Sequence, residues 1–231
     1  VDVRLRPSRP FADRAAPSMT RPVRILLIDD HTVARYGLRL MLGGAEELQV
    51  GAEADSAAAA LHLLRSGSFD VALLDIGLPD KHGLELLKQL RELYPSLAVL
   101  IVSMYGEDIY ALRALKLGAA GYLSKTCSAD SLVEAVRKAA AGGKYVTPSL
   151  LQKLAGMLGG GPGGVPHEAL TDRELEIFRM IASGESLVGI AAALHLSPST
   201  VTTYRARILD KMDMKSNAEL TRYGLDHGLL A

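Results

Sequence analysis

Four consecutive apolar residues, Val71-Ala72-Leu73-Leu74, run into a lone carboxylate, Asp75, and are stopped by Gly77 and Pro79. A short apolar run closed by backbone breakers reads as a strand buried on both faces. Such a strand needs helices on each side, which restricts the chain to a layered α/β arrangement. It also sets Asp75 at a strand's C-terminal end, where open α/β sheets gather their chemistry. The same pattern also suits an Asp that only caps the next turn. The choice rests on whether the chain supplies Asp75 with partners.

Residues 22–145 repeat the strand–helix alternation. Strands are expected at Val23–Ile28, Gln49–Ala54, Asp70–Leu74, Leu97–Val102 and Gly121–Ser124. Helices are expected at Thr32–Leu42, Ser56–Arg65, Gly83–Leu93, Asp108–Leu117 and Ser128–Ala141. In the first helix Val33, Leu38, Met41 and Leu42 are the apolar positions; in the third, Leu84, Leu87, Leu90 and Leu93. Right-handed crossovers make this a doubly wound, five-stranded parallel sheet of flavodoxin-like order 2-1-3-4-5. That order brings Asp29-Asp30, Asp75, Ser103 and Lys125 to neighbouring strand ends.

The flanks differ in character. Residues 1–21 carry five Arg against two Asp, are interrupted by Pro7, Pro10 and Pro17, and lack apolar periodicity. They read as a disordered basic tail without the apolar centre of a signal peptide. Met19, just ahead of the first strand, is a candidate start residue. Residues 146–168 read as a linker, with a short helix over Pro148–Leu158 and a Gly-rich run from Gly159 to Pro166. Residues 169–231 contain no strand-like run. Thr171 and Glu174 form a capping box, Ser186–Leu194 is a short helix, and Ser197-Pro198 opens a third helix reaching about Met212. Ser216–Asp226 is a fourth helix and a candidate dimer surface. Two short helices joined by a tight turn fit a helix-turn-helix.

This last segment holds 7 basic and 8 acidic side chains, so charge alone does not announce nucleic-acid binding. The single cysteine, Cys127, excludes an internal disulfide and a cysteine zinc site. No apolar run approaches the ~18 residues of a membrane span, and a soluble, cytoplasmic protein is expected.

Carboxylates gathered at neighbouring strand ends repel one another unless a cation sits among them, and oxygen ligands with room for water suit Mg²⁺. Asp75 is then a plausible nucleophile toward a phosphoryl group, with Lys125 neutralising charge and Ser103 bonding an oxygen.

Asp29-Asp30-His31, Asp75 with Pro79, Ser103, and Gly121-Tyr122-Leu123-Ser124-Lys125 occur in the order of the receiver signature. Residues 22–231 resemble two-component response regulators of the NarL/FixJ family: a receiver domain over 22–145, a linker over 146–168, and a LuxR-type helix-turn-helix over 169–231. The resemblance implies that Asp75 is the phosphoacceptor. Asp29, Asp30, Asp75 and the Gly77 carbonyl would hold Mg²⁺. Ser103 would be the switch hydroxyl, Tyr122 the switch aromatic that swings inward on activation, and Lys125 the conserved-type lysine. Tyr105, two past Ser103, would partly cover the acyl phosphate. Implied partners are a sensor histidine kinase or phosphotransfer protein and double-stranded promoter DNA, bound as a homodimer.

The chain departs from the family pattern at Thr126, where Pro often follows the lysine, and at Thr32, where Pro often follows the histidine. Ser186–Ala191 lacks the usual Asn-Lys-Glu, Thr202 stands where lysine is common, and Tyr204 where histidine is common. On a helical wheel Val201, Ile208 and Met212 face inward. Thr202, Thr203 and Arg207 are candidates for groove contacts; Ser199, Thr200, Arg205 and Lys211 for phosphates or docking. Two rival readings are a phosphorylation-independent regulator and an aspartate-nucleophile phosphatase. The latter uses a second Asp two residues after the nucleophile, where this chain has Gly77.

Overall fold

The computed structural model describes residues 21–105, 107–152 and 165–230. The tail up to residue 20, with Met19, and the Gly-rich run 159–164 lie outside the described residues.

Five parallel strands form one sheet in the order β2-β1-β3-β4-β5. They are β1 Val23–Ile28, β2 Leu48–Ala54, β3 Val71–Leu74, β4 Ala98–Ser103 and β5 Gly121–Ser124. Helices α1 Thr32–Leu42, α2 Ala57–Ser66, α3 Gly83–Leu93, α4 Glu107–Lys116 and α5 Ala129–Ala140 alternate with them. The expected order is present, and each of these elements ends within one residue of its expected limit.

Strand alternation sorts side chains into two cores. Leu26, Ile28, Ala72, Leu74, Val99 and Ile101 meet α2 and α3 through Ala60, Leu64, Leu84, Leu87 and Leu90. Ile25, Leu27, Val71, Leu73, Leu100 and Val102 meet α1 and α5 through Leu38, Leu42, Leu132 and Val136. β3 lies at the centre of the sheet with all its residues buried, as a run without polar alternation requires.

Two apolar positions fall outside these cores. Val33 is 85% exposed. It lies about 140° around α1 from Leu38, whereas Leu42 lies about 40° from it. Leu93, in the last turn of α3, is exposed as well.

Gly83 fixes how closely α3 approaches β3. A Cβ there would sit 2.2 Å from the Asp75 carbonyl oxygen, and the Gly83 N–H donates to the Ile76 carbonyl at 2.7 Å. Gly83→Ala must push backbone away from backbone. It is expected to cost about 1–3 kcal/mol, read as a lower urea midpoint. An unchanged midpoint would show that the loop yields freely.

Residues 148–152 are helical, the described part of the helix expected over 148–158. A 3₁₀ turn, Pro166–Ala169, then leads into α6 Asp172–Ala182, α7 Leu187–Ala193, α8 Pro198–Lys211 and α9 Asn217–Asp226. Thr171, Ser186, Ser197 and Ser216 cap these helices, accepting from the N–H groups of Glu174, Gly189, Thr200 and Glu219. Each such cap contributes about 1 kcal/mol. His195, with φ of 52°, turns the chain between α7 and α8. Leu175, Phe178, Ile181, Ile190, Val201 and Ile208 form the centre of this module.

Candidate functional site

The sheet order sets the C-terminal ends of β1, β3, β4 and β5 in a row. Ladder bonds continue one residue past the strands. Asp75 N donates to Ile28 O at 2.8 Å, and Lys125 N to Ser103 O at 2.9 Å. The sheet itself therefore positions the functional side chains. Asp29 and Asp75 are 2% and 5% exposed. Lys125 Nζ lies 2.6 Å from Asp29 Oδ2 and 2.9 Å from Asp75 Oδ2. The second Asp75 oxygen accepts from the Ile76 N–H at 2.8 Å.

Burial raises the Asp75 carboxyl above the ordinary carboxylate range; Lys125 pulls it down, and Asp29 pushes it further up. Burial also opposes the charge on Lys125, but the two carboxylates outweigh it and hold the ammonium above its usual value. One cation thus serves two carboxylates in a largely dry site.

Ligand-type atoms of Asp29, Asp30, His31 and Asp75 all lie within 4.8 Å of one another. Asp29 Oδ2 and Asp30 Oδ1 are buried and accept no well-formed hydrogen bond. Asp29 Oδ2 instead pairs with the Lys125 ammonium, and Asp30 Oδ1 lies 2.7 Å from His31 Nδ1. Under-satisfied carboxylate oxygens of this kind fit a hard divalent cation. A Cβ at Gly77 would stand 3.7 Å from Asp75 Oδ2, so glycine leaves that side of the carboxylate uncovered. His31 was not among the expected ligands, although it directly follows the acidic pair.

Ser103 is 1% exposed, and its Oγ accepts from the Tyr105 N–H at 3.3 Å. Tyr122 is also 1% exposed, its hydroxyl donating to the Tyr105 carbonyl at 2.7 Å. The Tyr122 side chain thus lies inward, beside the loop that follows β4. A buried phenol needs a partner, and the β4–α4 loop offers one. No peptide bond is cis among the described residues. Thr126 makes a tight turn instead, its N–H donating to Ser124 Oγ at 3.2 Å.

On α8, Ser199, Thr202, Thr203 and Arg207 are exposed and Thr200 is half-buried. The Thr202 and Thr203 hydroxyls donate to the Pro198 and Ser199 carbonyls. Arg205 and Lys211 dock within the module: Arg205 Nε donates to Asn217 Oδ1 at 2.7 Å, and Lys211 Nζ to Glu174 Oε2 at 2.6 Å. Ser199, Thr200, Thr203, Tyr204 and Arg207 line a hollow on the outer side of the helix. Tyr204 was not among the expected contact residues; its one signal was its place where histidine is common.

The two modules touch, which periodicity did not foretell. Arg113 of α4 donates to the Leu170 carbonyl at 2.7 Å, the His167 carbonyl at 2.8 Å and Asp172 Oδ1 at 3.1 Å. Glu176 of α6 is 2% exposed, bonded to Arg173 at 2.7 Å and to the Tyr105 hydroxyl at 3.3 Å. The Arg179 guanidinium lies 5.1 Å from the Tyr105 ring centre. His82 is 3% exposed, and burial, with Arg173 and Arg113 nearby, brings its imidazole down to about 3. His82 Nε2 and Arg179 Nη1 are buried without a hydrogen-bond partner, each costing on the order of 1–3 kcal/mol. The interface is thus polar and imperfectly satisfied.

Among the described residues, no helix is long and apolar enough to cross a membrane. Residues 25–137 match the response regulator receiver domain, and residues 168–224 match the bacterial regulatory proteins of the luxR family. Response regulator GacA of Pseudomonas aeruginosa is 36% identical over 210 residues, spanning 90% of this chain and 98% of GacA. Transcriptional regulatory protein UhpA of Escherichia coli is 38% identical over 204 residues, spanning 88% and 98%. The structure of RcsB from Salmonella enterica serovar Typhimurium, bound to promoter rprA with the phosphomimetic BeF3-, aligns with a TM-score of 0.62. It is 23% identical and covers 88% of this chain and 98% of RcsB, a likeness of fold. With receiver and luxR-type modules in one chain and relatives aligned along nearly their whole length, the protein belongs to the NarL/FixJ family of response regulators, which regulate transcription.

Proposed function

We propose that this regulator takes a phosphoryl group on Asp75 and so controls promoter binding by its second module. The receiver spans 22–145, the linker 146–168 and the DNA-binding module 169–231. The supporting observation is the Lys125 ammonium seated between Asp29 and Asp75 at 2.6 and 2.9 Å.

An Asp75 oxygen attacks the phosphorus of a phosphohistidine, on a sensor histidine kinase or phosphotransfer protein, or of acetyl phosphate. A P–O bond forms to Asp75. The P–N bond of the histidine, or the P–O bond to acetate, breaks, and its electron pair leaves on imidazole or acetate. Lys125 neutralises charge on the transferred group, and Ser103, one strand away, donates to one of its oxygens. Mg²⁺ would be held by Asp29, Asp30, Asp75 and the Gly77 carbonyl, with His31 beside them. When bound, it would supply charge neutralisation to the phosphoryl group. Tyr122, on the neighbouring strand β5, is the aromatic part of the switch.

In the second module α8 enters the major groove. Thr202, Thr203 and Arg207 face base edges, and Ser199 and Thr200 face phosphates. Arg205 and Lys211 hold the helix in place. Few cations face outward, so affinity rests on a homodimer over two half-sites. Leu225 on α9, 65% exposed, is part of the candidate dimer surface. A protein acting on promoters in this way works in the cytoplasm.

Promoter duplexes can be selected from a random pool by the acetyl phosphate-treated protein and then used for footprinting. Phosphorylation is expected to tighten binding about tenfold, and Asp75→Ala to stay at the untreated level. Equal affinity in all three states would reject phosphorylation control.

A further inference from the structure

Tyr105 stands where three connections meet. Its N–H donates to Ser103 Oγ at 3.3 Å, and its carbonyl accepts from the Tyr122 hydroxyl at 2.7 Å. Its own hydroxyl donates to Glu176 Oε1 at 3.3 Å. Ser103 ends the strand next to Asp75, Tyr122 belongs to the receiver core, and Glu176 belongs to the second module. The Tyr105 ring is flanked by Tyr110, with centroids 5.3 Å apart, and by the Arg179 guanidinium at 5.1 Å. One side chain and its peptide groups thus join the strand end beside the phosphoacceptor to the DNA-binding module.

We propose that Tyr105 is the positioning residue that converts phosphoryl occupancy of Asp75 into release of the second module, acting through its bonds to Ser103 and Glu176. The proposal rests on the reading of Asp75 as phosphoacceptor. When the Ser103 hydroxyl turns to a phosphoryl oxygen, it leaves the Tyr105 N–H. The main chain at 105 is then freed on one side while Tyr122 still holds its carbonyl, so the residue pivots and its side chain leaves Glu176. The charge added at Asp75 acts in the same sense. Burial already disfavours the Glu176 carboxylate, and the negative charge of Asp75 adds to that effect.

Linkage makes the coupling reciprocal. A chain with a weakened contact at Tyr105 binds a phosphoryl mimic more tightly, because less docking has to be broken. A residue that merely supported the fold would leave that affinity unchanged or lower it.

The test uses the full chain in a Cys127→Ser background, spin-labelled at exposed Lys138→Cys in α5 and Arg222→Cys in α9. Inter-label distances are measured with Mg²⁺, with and without beryllofluoride. The narrow docked distribution is expected to broaden on adding beryllofluoride. Tyr105→Phe, which keeps the ring and loses the hydroxyl, is expected to be broad before the addition. Fluorine NMR titration is expected to show it binding beryllofluoride at least about fivefold more tightly than the wild type. Glu176→Gln keeps an acceptor for Tyr105 but loses the charge; it is expected to stay docked and to broaden less. A Tyr105→Phe chain that is docked like the wild type and binds beryllofluoride with equal affinity overturns the proposal. Failure of the wild type to bind beryllofluoride, or binding undiminished in Asp75→Ala, overturns the phosphoacceptor reading instead.

Discussion

Asp75→Asn is expected to abolish phosphoryl uptake from acetyl phosphate and, in metal-free buffer near neutral pH, to make the protein more stable than the wild type. The loss follows because an amide is no anionic nucleophile; intact-mass measurement is expected to find no phosphorylated species. The gain follows from burial. The Asp75 carboxyl titrates above its unfolded value chiefly because the site is dry. The folded chain therefore keeps this proton over a pH window in which the unfolded chain has released it. Stability from the neutral form is full below the unfolded pKa and is lost as pH rises through the folded one. Asn removes that loss, while Lys125 keeps Asp29 at 2.6 Å. Melting curves in EDTA between about pH 4 and 8 are expected to place the variant above the wild type at the upper end, with the gap closing toward the lower. A variant that melts below the wild type at the upper end would show that the Lys125 pair outweighs burial.

Lys125→Ala acts in the opposite direction on the same cluster. It leaves Asp29 and Asp75 buried with no cation between them, and breaking a buried pair in this way costs about 3–5 kcal/mol. Urea unfolding in EDTA is expected to show a loss of that size. Mg²⁺ is expected to recover more stability in this variant than in the wild type, because the lysine no longer occupies the space between the two carboxylates. Saturation at about 100 times the dissociation constant returns roughly 2.7 kcal/mol. The effect on phosphoryl transfer is separate. With Mg²⁺ present the variant folds, yet it lacks the charge that would follow the transferred group. Wild-type stability in EDTA would mean that the carboxylates share a proton in place of the ammonium.

The receiver core was legible because its strands are buried on both faces. An unbroken run such as Val71–Leu74 admits few environments, and the breakers after it place Asp75 without ambiguity. The caps Thr171, Ser186, Ser197 and Ser216 were legible for a similar reason: a hydroxyl ahead of a periodic run has a definite local task. What periodicity missed was polar burial. The stripe Leu175, Phe178 and Ile181 marks one buried face of α6, but Glu176 and Arg179 are buried too, against the receiver. A charged residue three positions from another reads as a solvated face until a second module covers it. His82, buried just ahead of α3, was missed likewise. The partner of the Tyr122 hydroxyl escaped because it is a backbone carbonyl, which carries no residue code. Val33 shows the reverse case, an apolar residue whose angle on the helix keeps it out of the core.

The reading helix presents Thr202, Thr203 and Arg207 to solvent while α6 is docked on the receiver. A regulator built this way does not hide its reading surface at rest. On the proposed function each undimerised chain would meet duplex, hop and leave, so arrival at a promoter would not be what phosphorylation accelerates. What would change is dwell time: a lone docked module would depart quickly, and a freed one would stay long enough for a second copy to settle beside it. The delay between stimulus and transcription would then be set by pairing on DNA already being sampled, and it would shorten steeply as the concentration of the protein rises.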